Sequence, residues 1–234
     1  MPFLPIIPGL SGAGASAKAG GSTAGPSALG VEVPDEIRAS VLERDGHACR
    51  YCGFTARKYQ LVRLRGERGN VNNPDHLATA CIFCDQVFAL DRVATMKSGV
   101  LIWMPELDQA MLHHVARAIY VARISQGAVA DAARRTLEAI TARRDEAKNR
   151  IKTDDPAVLA MVLREYIDPR AYKNRGAKLE GIRLFPLDRR IISEGDLEFN
   201  QFPQILAYWR SKDGPFGAWQ PAQWLEEFKQ LKAA

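Results

Sequence analysis

Asp45-Gly-His-Ala-Cys49-Arg-Tyr-Cys52-Gly-Phe54 and Thr79-Ala-Cys81-Ile-Phe-Cys84-Asp-Gln86 decide how this chain of 234 residues is read. Between them they hold all four cysteines, as two Cys-x-x-Cys pairs with twenty-eight residues separating the pairs. Two such pairs supply the four thiolates of a closed tetrahedral zinc site. Gly53 lets the chain turn back beneath the first pair. Ile82, Phe83, Val87, Phe88 and Leu90 form an apolar run from the second pair onward, suited to the first turns of a helix. The gap is longer than that of a compact ribbon, so something folded must fill it. A redox Cys-x-x-Cys would leave one pair unexplained, and disulfides need an oxidising compartment that nothing in the sequence signals. The expectation is one structural zinc on Cys49, Cys52, Cys81 and Cys84. Binding it should contribute on the order of 10 kcal/mol to the folding of its module.

Working outward, residues 60–65 alternate as a half-buried strand, and residues 66–70 and 71–74 turn. Leu77 is expected to open the helix that bears Cys81 and Cys84. Hairpin, metal and helix make a ββα-metal unit. Upstream, residues 31–44 predict a short helix: Pro34 suits its first turn, Asp35 and Glu36 its positive end, and Ile37, Val41 and Leu42 form its stripe. Residues 1–30 begin with an apolar run interrupted by Pro2, Pro5 and Pro8 and continue as a Gly/Ala/Ser stretch. This predicts a flexible segment rather than a signal peptide, with residues 3–7 able to dock as an edge strand or on a partner. Its glycines lack the Lys-Ser/Thr of a phosphate loop.

Downstream, residues 99–103 read as a buried strand ended by Pro105, after which a helix should start at Pro105 and Glu106. Its apolar face is read as Leu107, Met111, Val115, Ala118 and Ala122. His113 and His114 are neighbours on that helix, about 100° apart, and cannot chelate one metal together; they read as surface and boundary groups. Residues 128–151 predict a second helix, Asp155-Pro156 opens a third, and residues 181–187 form a short apolar segment. The last 39 residues hold eight of the nineteen aromatics, including Trp209, Trp219 and Trp224. They read as a satellite core or a docking surface, with an amphipathic helix over residues 221–231. The fold class is α+β, mostly helical: a flexible segment (1–30), a four-cysteine zinc unit (31–98), a helical region (99–195) and an aromatic-rich extension (196–234).

No stretch reaches the roughly 18–20 consecutive apolar residues of a membrane span, so direct membrane insertion is not expected. The net charge is +5. Most of the excess falls between Gly46 and His76, where six basic residues face two acidic ones. Such a patch suits nucleic acid or an acidic partner, or is a solvated face.

The residues around the cysteines carry a resemblance. Cys49-Arg-Tyr-Cys-Gly-Phe-Thr-Ala-Arg57, Tyr59-Gln60, Asn72-Asn73, residues 77–86 and Leu101-Ile-Trp-Met-Pro-Glu-Leu-Asp-Gln109 are similar to the IcmJ/DotN family. The likeness runs from about Ile37 to Leu112 and continues weakly to about Leu187. It implies a non-catalytic adaptor subunit of type IVB secretion or related conjugation machinery. Such a subunit would sit on the cytoplasmic face of the inner membrane and bind the C-terminal extension of the coupling ATPase together with other secretion-complex subunits. It also implies a zinc unit similar to that of HNH nucleases. A nuclease of that kind needs a histidine on the first strand and a cation ligand on the helix. Here the strand offers Leu61, Val62, Arg63 and Leu64, and Arg63 stays protonated. Asp85 stands where a cation ligand could, and Asn73 and His76 lie in the turn, so no cleavage is expected. The alternative is a nucleic-acid-binding or vestigial nuclease module carried by Arg50, Arg57, Lys58, Arg63, Arg65 and Arg68.

Overall fold

The computed structural model describes residues 3–11, 33–66 and 69–233. Helix α1 (Asp35–Arg44) follows Pro34, with Asp35 and Glu36 against its positive end and Val41 on its buried side. The chain then makes a tight loop through Cys49 and Cys52 and enters an antiparallel hairpin, β1 (Gln60–Leu64) and β2 (Leu77–Cys81). Gln60 lies opposite Cys81, and Leu64 opposite Leu77. Leu77 thus opens a strand, not the helix expected there. Every residue of β2 is buried, so the strand lacks the alternation that would reveal it. Helix α2 (Ile82–Val87) starts only after Cys81, whose Sγ accepts the Cys84 N–H at 3.4 Å and caps it. A break at Ala89 separates it from α3 (Leu90–Met96).

Strand β3 (Gly99–Trp103) forms where expected and pairs antiparallel with β4 (Ile182–Pro186), Gly99 opposite Pro186 and Trp103 opposite Ile182. Gly181 leads into β4 with φ +81°, and a side chain there would run into the Trp103 ring. Between these strands lie α4 (Gln109–Arg123), α5 (Ala128–Ala142), α6 (Arg144–Ile151), α7 (Pro156–Glu165) and the short α8 (Pro169–Lys173) and α9 (Arg175–Lys178). The expected single helix over 128–151 divides at Arg143. That residue's backbone carbonyl accepts from Trp103 N, and its guanidinium pairs with Glu106 at 2.8 Å. Helix α7 has the expected start: the Asp155 side chain accepts from Ala157 N and Pro156 occupies the first turn.

Helix α4 departs most from its sequence reading. It starts at Gln109 because the Asp108 side chain caps it, accepting the Met111 N–H at 2.7 Å. Its buried face runs through Gln109, Leu112, His113, Ala116, Arg117 and Tyr120, while Met111 is half exposed. The expected apolar stripe is rotated by about one residue.

A hairpin of β5 (Ile191–Glu194) and β6 (Leu197–Asn200) leads to α10 (Phe202–Arg210) and α11 (Pro221–Ala233). Residues beyond 196 do not form only a satellite. Phe202, Ile205 and Trp209 are enclosed with Phe54, Phe83 and Tyr120 in the core that also contains the cysteines. Each ring or aliphatic chain so buried contributes about 1.5–3 kcal/mol. A second core packs Val87, Leu90, Leu101, Leu159, Leu163 and Leu184. A small third one joins Val41 of α1 to Val62 and Leu77.

Residues 3–11, within the segment expected to be flexible but with residues 3–7 able to dock, form a strap across both larger cores, without forming an edge strand. Leu4 N donates to Arg50 O at 2.9 Å, Gly9 N to Val87 O at 3.0 Å, and Arg175 Nε to Pro8 O at 2.6 Å. Residues 1–2 and 12–30 of that expected segment lie outside the described residues. Among the described residues no helix is long and apolar enough to cross a membrane. The fold is α+β, about half helical, with small antiparallel sheets.

Candidate metal centre

The loop before β1 is built to hold two sulfurs close together. Ala48 bridges Thr55, Cys49 N donates to Phe54 O at 3.0 Å, and Gly53 N donates to Cys49 O at 2.8 Å. Gly53 has φ +76°, where a side chain is strained, and a Cβ would stand 2.9 Å from the Phe3 ring of the strap. The Gln60 amide donates to His47 O at 3.0 Å and Phe54 O at 2.9 Å, tying the loop to β1. Arg50 N donates to Thr79 O at 2.9 Å, tying it to β2. The second pair comes from the end of β2 and the first turn of α2.

These elements bring all four predicted ligands together. The Sγ atoms of Cys49, Cys52, Cys81 and Cys84 are buried and lie within 4.8 Å of one another. Cys52 and Cys81 are 3.7 Å apart, far beyond a disulfide bond, and all four cysteines are unpaired. Sulfurs around a tetrahedral zinc at about 2.3 Å would stand about 3.8 Å apart. The cluster can therefore hold a metal ion. Burial pushes the Cys81 and Cys84 thiols up, so a full set of thiolates here requires positive charge beside them.

Helix α4 brings part of that charge. Arg117 is fully buried, and its Nη2 donates to Cys81 Sγ at 2.7 Å, with Cys52 Sγ at 3.8 Å. Its guanidinium lies over Phe54 at 3.9 Å and Phe83 at 5.0 Å. Burial works against this cation, and the sulfurs of Cys81, Cys52, Cys84 and Cys49 outweigh it. A guanidinium enclosed by rings, with only sulfurs as counter-charge among the described residues, fits an anionic thiolate set rather than four neutral thiols.

His113, expected at the surface, is also fully buried; its Nδ1 is 3.3 Å from Cys84 Sγ. Burial, with the Arg117 charge, pushes it down to about 3, so the ring is neutral near pH 7. His114 is partly exposed, its Nε2 2.7 Å from Cys52 O. Sequence reading missed Arg117, His113 and Gln109. They follow one another at i, i+4 and i+8, interleaved with Leu112, Ala116 and Tyr120. The helical spacing was legible, but the polar side chains hid the face.

The other candidates are dispersed. Asp85 is buried in α2 beyond Cys84, and its Oδ1 makes no hydrogen bond. Burial raises its carboxyl, against the nearby charges of Arg63, Arg190 and Arg92. His76 spends its Nδ1 accepting the Asn70 N–H at 2.9 Å, and Asn73 accepts from Asp75 N. Of the six basic residues, Arg63 is buried with its guanidinium 3.8 Å over Phe88. Arg65 donates to Leu77 O at 3.0 Å, and Arg50 is half-buried. Arg57 and Lys58 are exposed beside Tyr208, and Arg68 lies outside the described residues. The five described ones do not form one outward-facing stripe.

No protein-family model matches the chain. Over 157 residues it is 32% identical to the type 4 apparatus protein DotN of Legionella pneumophila, an alignment covering 62% of this chain and 70% of that protein.

Proposed function

Because the chain belongs to the DotN (IcmJ) family, we propose that it is a zinc-holding, non-catalytic adaptor subunit of a type IVB secretion or conjugation complex. It binds the C-terminal extension of the coupling ATPase, alongside other subunits, on the cytoplasmic face of the inner membrane. The observation that carries this reading is the closure of the metal centre. Cys49, Cys52, Cys81 and Cys84 are all inward, and Arg117 fills the space beside two of them. A zinc with four thiolates has no open position for water or substrate, so its output is shape. When bound it would join the loop before β1 to the end of β2. In this division residues 31–98 are the zinc unit, resembling that of HNH nucleases but without their strand histidine. The helices that follow provide the partner surface.

That surface is proposed on outward apolar positions away from the metal: Met161 and Tyr166 around α7, and Trp219 and Phe228 around α11. A partner segment ordered on binding can satisfy such positions. The test is capture by the tagged full chain of a synthetic peptide carrying the ATPase C-terminal extension, with incubation of DNA and RNA in magnesium, manganese or nickel alongside. Peptide binding without cleavage is expected. Cleavage lost in Asp85→Ala or His76→Ala, or no peptide binding by zinc-loaded protein, would overturn the reading.

A further inference from the structure

Four thiolates on a divalent cation leave a net charge of −2, and thiolates remain nucleophilic unless something holds their electron pairs. In this molecule α4 brings a nitrogen of His113 and one of Arg117 onto the buried sulfurs, and the rest of the fold fixes where the His113 hydrogen sits. The Leu184 N–H of β4 donates to Gln109 Oε1 at 2.9 Å, which sets the orientation of the amide. Gln109 Nε2 then donates to Leu184 O at 2.8 Å and faces His113 Nε2 at 2.9 Å. The amide nitrogen has two hydrogens and no lone pair to offer, so His113 Nε2 must accept. The imidazole hydrogen is left on Nδ1, 3.3 Å from Cys84 Sγ. The second nitrogen is Arg117 Nη2, on Cys81 with Cys52 close by.

Resting on the zinc reading, we propose that Arg117 and His113 are positioning residues of the metal centre. They hold its thiolates as hydrogen-bonded ligands, and Gln109 sets the His113 tautomer from β4. Three sulfurs then have an N–H donor on or beside them, and the guanidinium offsets half of the −2 charge. The centre is thereby a retained structural metal, slow to react with alkylating or oxidising reagents, rather than a labile or redox-sensing site. Residues in this relation to a metal typically change its affinity 10- to 100-fold when removed.

The experiment starts with elemental analysis of the full-length protein, followed by the rate of zinc release under excess N-ethylmaleimide, read with a zinc-binding dye. Arg117→Met should release zinc about 10- to 100-fold faster. Arg117→Lys, which keeps the charge without the fork, should fall between it and the natural protein. A control variant in the other core, Leu163→Ala, should release at the natural rate, which a merely structural effect of Arg117 would not predict. If Arg117→Met does not fold, nitrogen-15 NMR of the unaltered protein reads His113 directly: Nδ1 should be protonated and Nε2 not. One zinc per chain with unchanged release in both Arg117 variants, or a proton on Nε2, would overturn the proposal and leave the zinc reading standing. Absence of zinc from the natural protein would overturn both.

Discussion

Around the cysteines the core encloses a guanidinium, an imidazole and a run of aromatic rings; the buried hydrophobic cluster that contains Leu184 is aliphatic. The two regions share the β3–β4 sheet: Phe185 faces the first and Leu184 the second. The aliphatic core is favourable whatever surrounds it, since its members need only leave water. The metal-side core is conditional. Its buried cation and sulfurs are stable together only if charge balances, because an isolated buried charge is costly. On the zinc reading, one half of the molecule is thus held by area, and the other by area plus a ligand.

Cys81→Ser should separate the two halves most sharply. It removes a thiolate from the cluster and the anionic partner of Arg117, while the serine hydroxyl can still cap α2. Metal binding in small zinc modules is worth on the order of 10 kcal/mol, comparable to the whole stability of a typical domain. Zinc content should collapse, and amide exchange should accelerate over β1, β2, α2 and α4 while α3 and α7 retain protection. Equal loss of protection in both halves would break the comparison. In the other direction, Leu101→Ala hollows the aliphatic core at a fully buried site and should cost about 2–5 kcal/mol in urea unfolding. Zinc content should stay unchanged.

The same contrast explains what the sequence disclosed. The four-cysteine cluster was legible because metal chemistry fixes residue type and spacing together. Helix α7 was legible because its buried side is Leu159, Ala160 and Leu163 after an Asp-Pro start. Helix α4 was not, because its buried side includes Gln109, His113 and Arg117, which periodicity counts as solvent-facing. Strand β2 was hidden because both of its faces are covered. Trp209 was assigned to a tail because nothing local reveals that α10 closes over Phe54 and Phe83, at ring distances of 5.7 and 5.6 Å.

A matched pair of carboxylates sharpens the comparison at smaller scale. Asp45 accepts the Thr79 N–H at 2.9 Å and pairs with Arg44 at 3.0 Å, anchoring the loop that leads to Cys49. Burial opposes its charge, but these partners outweigh burial and hold its carboxyl below the ordinary 3.8. Its contribution is therefore present above about pH 3.8 and fades as pH falls through the lower folded value. At pH 7, Asp45→Asn should cost about 1–2 kcal/mol and also speed zinc release. Asp155 caps α7 by accepting the Ala157 N–H at 2.8 Å, and Asp155→Ala should cost about 1 kcal/mol. If the halves differ as argued, that second loss leaves zinc release untouched; equal release from both variants would show one shared stability scale.

The smallest expected change in stability belongs to the surface. Trp219 is 48% exposed; its indole donates to Glu227 at 3.2 Å and its ring centre lies 5.9 Å from that of Trp224. Neither contact reaches the cysteines or the aliphatic core. Trp219→Ala should therefore shift unfolding by less than about 0.5 kcal/mol and leave zinc content as it was. Its value lies in separating shape from recognition. An exposed tryptophan offers a large apolar face with one polar edge, the residue type that most often dominates a protein interface when it is buried by a partner. If α11 forms part of the docking surface, capture of the ATPase extension should fall roughly tenfold or more, as loss of such an anchor usually costs. Unchanged capture would exclude this face and move the site to α7, where Met161→Ser and Tyr166→Ser become the variants that should weaken it.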